Sequence, residues 1–170
     1  TYIDADMYFY GNPGVLLDEM EGHSVLLTPH NFSATLMKHE VYGLYNAGYV
    51  SFRNDVEGRK CLDWWRRKVL EWCYDIAEEK RFADQKYLDS IPGLFTSAAV
   101  AKNKGANLSA YSIDNYKASN SGGKVYIDDD SLIFVHFHGL KKRSRFFYDF
   151  RFPDLKSYSN ASLVTLYKGY

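Results

Sequence analysis

Two short clusters that could bind a metal ion lie far apart in the 170-residue sequence. The first is Asp4-Ala5-Asp6, where one small residue separates two carboxylates at the end of an apolar run. Alternate residues of a strand point to the same face, so both carboxylates can converge on one point. Such a pair repels itself unless a cation neutralises it, and Mg²⁺ or Mn²⁺ prefers oxygen ligands. Metal binding therefore competes with the commoner interpretation of this motif, a solvated turn.

The second cluster contains His136 and His138, which end the apolar run 132–135. The two histidines would share one face of a strand, so either or both could reach a ligand site at the C-terminal edge of a sheet. A packed, hydrogen-bonded histidine is the ordinary alternative for each. Just beyond them, Gly139 and Lys142 offer a backbone turn and a point charge, a combination that suits phosphate.

Two polar pairs lie between these clusters. Asn46 carries donor and acceptor groups and Gly48 permits close backbone approach, so this pair suits contact with a sugar hydroxyl. A plain turn before the strand predicted at 49–52 is the alternative. Asp84 and Gln85 stand at the start of a predicted short helix, where an acid and an amide could face a polar substrate. A helix cap is the other interpretation of Asp84.

The elements that must position these residues alternate between strands and helices, which predicts an α/β fold. Strands are expected at 1–9, 24–28, 49–52 and 97–100, and helices at 15–20, 56–79 and 82–89. The longest helix is predicted to begin at the cap Asp55 and to bury one stripe of side chains, formed by Leu62, Trp65, Val69, Trp72 and Ile76. The glycine-rich stretch 119–123 is predicted to be a hairpin loop.

The composition limits the partners of the chain. Its 21 basic and 21 acidic residues cancel, so no global field recruits nucleic acid or an anionic membrane. Aromatic residues make up 17% of the chain, which suits stacking on sugars as well as an ordinary aromatic core. No apolar run is long enough to span a bilayer, although association with a membrane surface stays open. Cys61 and Cys73 lie about 18 Å apart in the predicted helix, too far for a disulfide, so we expect a reducing, cytoplasmic location.

Taken in order, these motifs resemble the family-eight glycosyltransferases of the GT-A fold, a group that includes glycogenin and bacterial lipopolysaccharide galactosyltransferases. The run 2–6 is similar to the metal-binding strand end of that family, the Asp-x-Asp motif. The run 45–48 is similar to its Asn-x-Gly element, and 84–85 to its Asp-Gln helix start. The order and spacing of the motifs carry the resemblance, because several motifs in sequence are more specific than any single one.

The last motif is the most specific of the set. It matches the signature His-Phe-x-Gly-x-x-Lys of the family position by position, with His136, Phe137, Gly139 and Lys142. The resemblance covers residues 1–142 and leaves the aromatic tail 143–170 outside. We therefore expect one domain, 1–170, built as the C-terminal half of a GT-A fold with a mixed sheet flanked by helices.

The resemblance implies a metal and phosphate site. Asp4, Asp6 and His136 would hold Mn²⁺ or Mg²⁺, which bridges the two phosphates of a nucleotide-sugar donor. Gly139 and Lys142 would contact the same phosphates and offset the charge that builds there. The donor is expected to be a UDP-sugar.

The resemblance also implies a sugar site. Asn46, Asp84 and Gln85 would bind the donor sugar or orient the acceptor hydroxyl, with Gln85 near the anomeric carbon, and Gly48 would allow close approach. A hexose would then pass to a saccharide or glycan acceptor, with retention of configuration, as in polysaccharide biosynthesis. The alternatives are a catalytically silent carbohydrate-binding module and, less favoured, a metal-dependent phosphoesterase, which would need further carboxylates for a two-metal centre.

Two features set this sequence apart from the family pattern. Lys142 is followed by Arg143 and Ser144 in place of Pro-Trp, so the loop that closes over the phosphates is expected to differ, and the region 64–82 is closer to bacterial surface-polysaccharide relatives. The chain also begins at Thr1, directly before a strand-like run. We expect a nucleotide-binding N-terminal segment of the same protein to precede it, without which this part would be inactive.

Overall fold

Short strands alternate with short helices in the computed structural model, which describes residues 1–138, 141–144 and 148–149. The strands are β1 (Tyr2–Ile3), β2 (Met7–Phe9), β3 (Val25–Pro29), β4 (Tyr45–Phe52), β5 (Ala98–Val100), β6 (Ala118–Ser121), β7 (Lys124–Ile127), β8 (Asp130–Ser131), β9 (Phe134–His136), β10 (Lys141–Lys142) and β11 (Tyr148–Asp149). The α-helices are α1 (Gly14–Glu19), α2 (Val56–Glu71) and α3 (Ile91–Leu94), and 3₁₀ segments cover Ala34–Tyr42, Lys86–Ser90 and Ile113–Asn115. The predicted α/β class is confirmed at this general level.

A four-stranded mixed sheet has the strand order β1-β4-β3-β5. Strand β4 is antiparallel to both β1 and β3, whereas β3 and β5 are parallel. Strands β2 and β9 form a separate antiparallel pair, β6 to β8 form a meander, and β10 pairs with β11. Because one short turn joins β1 to β2, that turn connects the four-stranded sheet to the β2–β9 pair.

Both faces of the four-stranded sheet are covered, because successive side chains of β3 point to opposite faces. Val25 and Leu27 pack against α2 and the segment after it, in a cluster with Cys61, Trp65, Tyr87, Leu88 and Ile91. Leu26 packs on the other face with Leu16, Met20, Tyr49, Ile133 and Phe134. A third cluster contains Phe32, Leu36, Leu108, Ile113, Val135 and Phe137. The functional side chains described below lie between these apolar clusters.

Helix α2 begins as the sequence predicts but is shorter. The Asp55 carboxylate accepts a hydrogen bond of 2.8 Å from the N–H of Gly58, so the predicted cap is confirmed. The helix ends at Glu71 rather than at 79, because Trp72 has an extended backbone. The carbonyl of Trp72 accepts a hydrogen bond of 3.0 Å from the Tyr87 hydroxyl. This contact ties the end of the helix to the 3₁₀ segment beneath it.

The buried side of α2 differs from the predicted stripe. Leu62 and Ile76 are exposed, so they do not belong to it. The buried residues of the helix are Gly58, Cys61 and Trp65. Trp65 of the predicted stripe is buried, and Val69 and Trp72 are half-buried against the same cluster, so the stripe is confirmed in part. The predicted pattern missed the small residues Gly58 and Cys61, which let the helix approach the strands closely. A Cβ at position 58 would come within 3.0 Å of the Ser24 carbonyl oxygen.

The predicted helix at 82–89 is wrong. Ala83 has a positive φ of 45°, which no helix tolerates, and helical structure starts only with the 3₁₀ segment Lys86–Ser90. It then continues into α3 through Pro92, which the sequence predicts to lie beyond the helix. Proline fits here because the first turn of a helix does not need its missing N–H.

Several smaller predictions are confirmed. The short helix predicted at 15–20 corresponds to α1, and the strands predicted at 24–28 and 97–100 correspond to β3 and β5. The hairpin predicted at 119–123 is present, but its loop is limited to Gly122 and Gly123, whose positive φ values suit a two-residue turn. Residues 119–121 belong to β6. Cys61 is buried, Cys73 is exposed and both are free thiols. No helix in the described ranges is long and apolar enough to cross a membrane.

Candidate metal centre

Asp4 and Asp6 lie in the turn between β1 and β2, not on the single strand predicted for 1–9. The backbone holds this turn at both ends. The N–H of Asp4 donates a hydrogen bond of 2.9 Å to the Gly48 carbonyl, and the Asp6 carbonyl accepts one of 2.9 Å from the N–H of Phe137. The two carboxylates therefore converge because a turn is anchored to two sheets, and not because strand residues alternate.

His136 comes to the aspartates from the other end of the chain. It is the last residue of β9 and is paired with Met7 of β2, and its side chain is 3% exposed. Its Nε2 lies 3.0 Å from Oδ1 of Asp6 and 3.7 Å from Oδ2 of Asp4. The antiparallel pairing of β2 with β9 thus brings together residues that are 130 positions apart.

The three side chains together offer a set of donors that fits a divalent cation. One ligand atom from each of Asp4, Asp6 and His136 lies within 4.8 Å of the others. Two carboxylates and a neutral imidazole leave a charge that a divalent ion would balance, and oxygen ligands suit Mg²⁺ and Mn²⁺. The aspartate side chains are 35% and 45% exposed, so further ligands can approach from the solvent side. Metal binding itself stays a prediction.

Gly48 has a structural reason to be glycine that involves this cluster. A Cβ at position 48 would lie 2.5 Å from Cε1 of His136 and would also overlap the methyl group of Met7. The residue is part of a bulge in β4, since Thr28 is paired with Asn46 whereas Leu27 is paired with Val50. The absence of a side chain at Gly48 therefore leaves the space that the His136 ring occupies.

Asn46 is not in a turn before a strand but inside β4, and it is 1% exposed. Its Oδ1 accepts a hydrogen bond of 2.6 Å from the N–H of Gly48. Its Nδ2 faces Nε2 of His138 at 3.1 Å and Nδ1 of His30 at 3.4 Å. The Asn46 amide is therefore engaged within the protein, where it orients two imidazoles. Its predicted contact with a sugar stays a prediction that this conformation does not favour.

Three histidines form a continuous group next to the aspartates. The rings of His136 and His138 stack with centroids 3.5 Å apart, and His30 lies 5.8 Å from His138. Burial lowers the pKa of His30 to about 4, although the nearby Gln85 side chain acts in the opposite direction. Burial also lowers the pKa of His138 well below its usual value. Both imidazoles are therefore neutral near pH 7.

Asp84 and Gln85 lie in the segment before Lys86–Ser90 and reach the same region. The indole N–H of Trp65 donates a hydrogen bond of 2.8 Å to the Asp84 carbonyl and so anchors the segment on α2. Burial, and to a smaller extent the charge of Asp4, raises the pKa of Asp84. The Gln85 amide donates to the Tyr42 carbonyl at 3.0 Å and accepts from the Ala47 N–H at 3.3 Å.

Tyr2 was not among the predicted site residues. Its hydrogen bond with the Asp4 carboxylate, together with burial, raises its pKa to about 12. Its ring stands edge-on to Trp65 with the centroids 5.8 Å apart. His30 was likewise not predicted, although it directly follows Pro29 at the end of β3 and this position could have indicated it.

Of the two residues predicted to contact phosphate, the structure describes only Lys142. Gly139 lies outside the described residues, as does most of the predicted tail 143–170. Lys142 belongs to β10, where it is paired with Tyr148. The prediction that these two residues contact phosphate is therefore not tested by the geometry.

A groove of about 700 Å³ lies at the ends of the parallel strands β3 and β5. Its wall includes the aromatic residues Phe32, Tyr45 and Tyr116. The aspartates and histidines of the candidate metal centre are not among the described residues that line it. Crevices at the carboxyl ends of parallel strands are common ligand sites, and aromatic rings can stack on sugars.

Comparison with known proteins gives relatives without an assigned activity. No protein-family model matches the chain. It is 33% identical to the uncharacterized protein YfnF of Bacillus subtilis strain 168 over 149 residues, which is 83% of this chain and 49% of that protein. It is 34% identical to the uncharacterized protein YfnD of the same organism over 143 residues, 82% of this chain and 46% of that protein. The chain spans about half the length of these curated relatives.

Proposed function

We propose that this protein is a metal-dependent glycosyltransferase that transfers a hexose from a nucleotide-sugar, in particular a UDP-sugar, to a saccharide or glycan acceptor. The observation that carries the proposal is the convergence of Asp4, Asp6 and His136, whose ligand atoms lie within 4.8 Å of one another. The family-eight resemblance names the same three residues from motif order alone. A GT-A fold, retention of configuration and a cytoplasmic location are parts of this proposal.

In this proposal Asp4, Asp6 and His136 hold Mn²⁺ or Mg²⁺, and the exposed sides of the carboxylates leave room for a diphosphate. A cation bound there would supply a Lewis acid that stabilises the departing nucleoside diphosphate. The burial of His136 keeps its Nε2 directed at the aspartates, and the hydroxyl of Tyr2 holds Asp4. These contacts restrict the ligands before any substrate arrives, which lowers the cost of ordering the site.

Asp84 and Gln85 bind the hexose or orient the acceptor hydroxyl in this proposal. Both are half-buried and lie on a segment that Trp65 and the backbone of β4 hold in place. A carboxylate can accept a hydrogen bond from the acceptor hydroxyl, and an amide can both donate to and accept from sugar hydroxyls. The aromatic wall of the groove at the ends of β3 and β5 suits stacking on a saccharide.

The test is metal-dependent nucleotide binding and sugar transfer by the full-length protein. Calorimetry with UDP should show tight binding only when Mn²⁺ is present, and Asp6→Ala or His136→Ala should abolish both this binding and transfer. Asp18→Ala and His23→Ala change the same residue types outside the cluster and serve as matched controls. Unchanged metal-dependent UDP binding in Asp6→Ala and His136→Ala would refute the ligand assignment.

The same assay separates the rival functions. A silent carbohydrate-binding module would bind saccharides but would neither transfer nor hydrolyse the hexose of any UDP-sugar. A phosphoesterase would release phosphate or cleave the diphosphate, with the hexose still phosphorylated. The described residues contain one group of three close metal ligands, Asp4, Asp6 and His136, which suits a single cation better than a two-metal hydrolase.

A further inference from the structure

His30 is a deeply buried polar ring beside the candidate metal centre. It is 4% exposed and stacks on Phe32 with ring centroids 4.6 Å apart. One of its nitrogens, Nδ1, faces the Asn46 amide, and the other, Nε2, is buried with no hydrogen-bond partner in the described part of the chain. A buried polar group without a partner is costly, so an unpaired one next to a candidate site indicates a missing ligand.

The hydrogen bonds of Asn46 determine which nitrogen of His30 carries the proton. Because the N–H of Gly48 donates to Oδ1 of Asn46 at 2.6 Å, the amide is oriented with its NH₂ group toward the two histidines. That NH₂ group then donates to Nδ1 of His30 at 3.4 Å. A neutral imidazole that accepts at Nδ1 carries its proton on Nε2. The unpaired atom of His30 is therefore a hydrogen-bond donor.

The surrounding side chains do not satisfy this donor with a well-formed hydrogen bond. The Gln85 side chain lies close enough to the ring to raise the pKa of His30 through hydrogen bonding, but its amide bonds to the backbone of Tyr42 and Ala47 and does not meet Nε2 in hydrogen-bonding geometry. Phe32 offers only an apolar face. His138, Tyr111 and Gln85 around the ring are half-buried rather than buried, so the group reaches the surface on their side.

We propose that Nε2–H of His30 donates a hydrogen bond to a hydroxyl oxygen of a hexose bound beside the metal centre. This inference rests on the proposed transferase function and adds a sugar-binding residue to it. A sugar hydroxyl is the fitting acceptor because the ring is neutral and lies among other neutral groups, which would disfavour a charged ligand. The hexose can be that of the donor or that of the acceptor saccharide, since both present the same hydroxyl chemistry.

The proton on Nε2 can be observed directly by two-bond ¹H–¹⁵N spectra of full-length protein labelled on histidine. Free protein should show His30 protonated at Nε2 and not at Nδ1. Addition of Mg²⁺ and UDP-glucose or UDP-galactose should shift the Nε2 resonance, whereas Mg²⁺ and UDP should not. A shift that needs methyl glucoside or methyl galactoside on top of Mg²⁺ and UDP would assign the hydroxyl to the acceptor instead.

The substitution His30→Phe keeps an aromatic ring and removes the donor. It should weaken the affinity for the hexose-containing probe that shifts Nε2 by about three- to tenfold, the effect of one neutral hydrogen bond, and leave Mg²⁺-dependent UDP affinity unchanged. His23→Phe, a histidine between α1 and β3, is the matched control. If UDP-hexose and saccharide bind but the Nε2 resonance of His30 does not shift, this inference is wrong and the proposed transferase function still stands. Failure of UDP itself to bind with metal would overturn the proposed function and this inference with it.

Discussion

Gly48 illustrates how one residue can be required by a site that it does not contact chemically. The Asn-x-Gly motif suggests a glycine that lets a sugar approach the backbone, whereas the structure gives the space over Gly48 to the ring of His136. Asn46, the other polar position of the motif, accepts a hydrogen bond from the N–H of Gly48 and orients His30 and His138. At this scale the motif acts on the metal cluster through packing and hydrogen bonds within the protein.

We therefore expect Gly48→Ala to damage the metal site. The added methyl group would meet Cε1 of His136 at 2.5 Å, so the ring must move away from Asp4 and Asp6. Overpacking of this kind costs about 1–3 kcal/mol, measurable as a fall in the free energy of unfolding in urea. Calorimetry should show weaker Mn²⁺ binding by the same variant.

Gly93→Ala is the control for this substitution. A Cβ at Gly93, in α3, would have no atom within 4 Å, so the change introduces alanine without a clash. It should leave both Mn²⁺ affinity and stability close to those of the unmodified protein. Equal Mn²⁺ affinity in Gly48→Ala and Gly93→Ala would show that His136 does not depend on the space at position 48.

At the scale of the elements, the sequence predicts those helices, strands and turns that depend on residues close together in the chain. The cap at Asp55, the β3 strand and the Gly122-Gly123 hairpin are local features, and each is where the sequence indicates. The end of α2 is not local, because Tyr87 from a later segment bonds to the Trp72 carbonyl. The apolar spacing beyond Glu71 continues the helical pattern, but Trp72 packs against the core with an extended backbone.

The candidate site shows the same division. The resemblance to a family pattern named Asp4, Asp6 and His136 together, and the structure brings these three residues to one place. The residue types alone left the choice between His136 and His138 open. The way in which they meet was not predictable, because it depends on the pairing of β2 with β9 and on the bulge in β4. His30 and Tyr2 were missed for this reason. Tyr2 lies two residues before Asp4 and His30 follows the strand end at Pro29, but the contacts that bring their rings to the cluster come from the fold.

Trp65 is the element-scale link between helix α2 and the segment that carries Asp84 and Gln85. Its indole N–H bonds to the Asp84 carbonyl at 2.8 Å, and Ala83 beside it has a φ of 45°. Trp65→Phe would keep an aromatic ring in the core but leave that carbonyl without its donor. The loss should be about 1–3 kcal/mol in the free energy of unfolding, together with faster hydrogen exchange in 83–90.

Trp64→Phe offers a matched control for this prediction. Trp64 is the half-buried neighbour on the same helix and packs edge-on against Phe95. Its replacement should have a smaller effect on stability and none on the exchange of 83–90. If the two variants changed exchange in 83–90 equally, the indole hydrogen bond of Trp65 would not be what holds that segment.

For the molecule as a whole, the cluster adds a polar link between two sheets that already share an apolar core, in which Tyr49 of β4 stacks on Phe134 of β9. Asp4 follows β1 of the four-stranded sheet, whereas His136 ends β9 of a separate pair. Without a cation, the two carboxylates of the turn repel each other, and Nε2 of His136 lies 3.0 Å from Asp6. A cation that binds all three residues would bind the folded chain and not the unfolded one, in which they are 130 positions apart.

Mn²⁺ should therefore stabilise the whole molecule against unfolding. At a free concentration of one hundred times the Kd, the expected gain is about 2.7 kcal/mol, measured as a higher unfolding midpoint in urea or heat. The Mn²⁺-dependent gain is the informative quantity. The stability without metal is not, because Asp6→Ala removes both a repulsion with Asp4 and a hydrogen bond to His136, and these two losses act in opposite directions. In Asp6→Ala the gain should vanish, whereas in Asp18→Ala it should remain. An equal gain in both variants would place the stabilising cation somewhere other than between β1, β2 and β9.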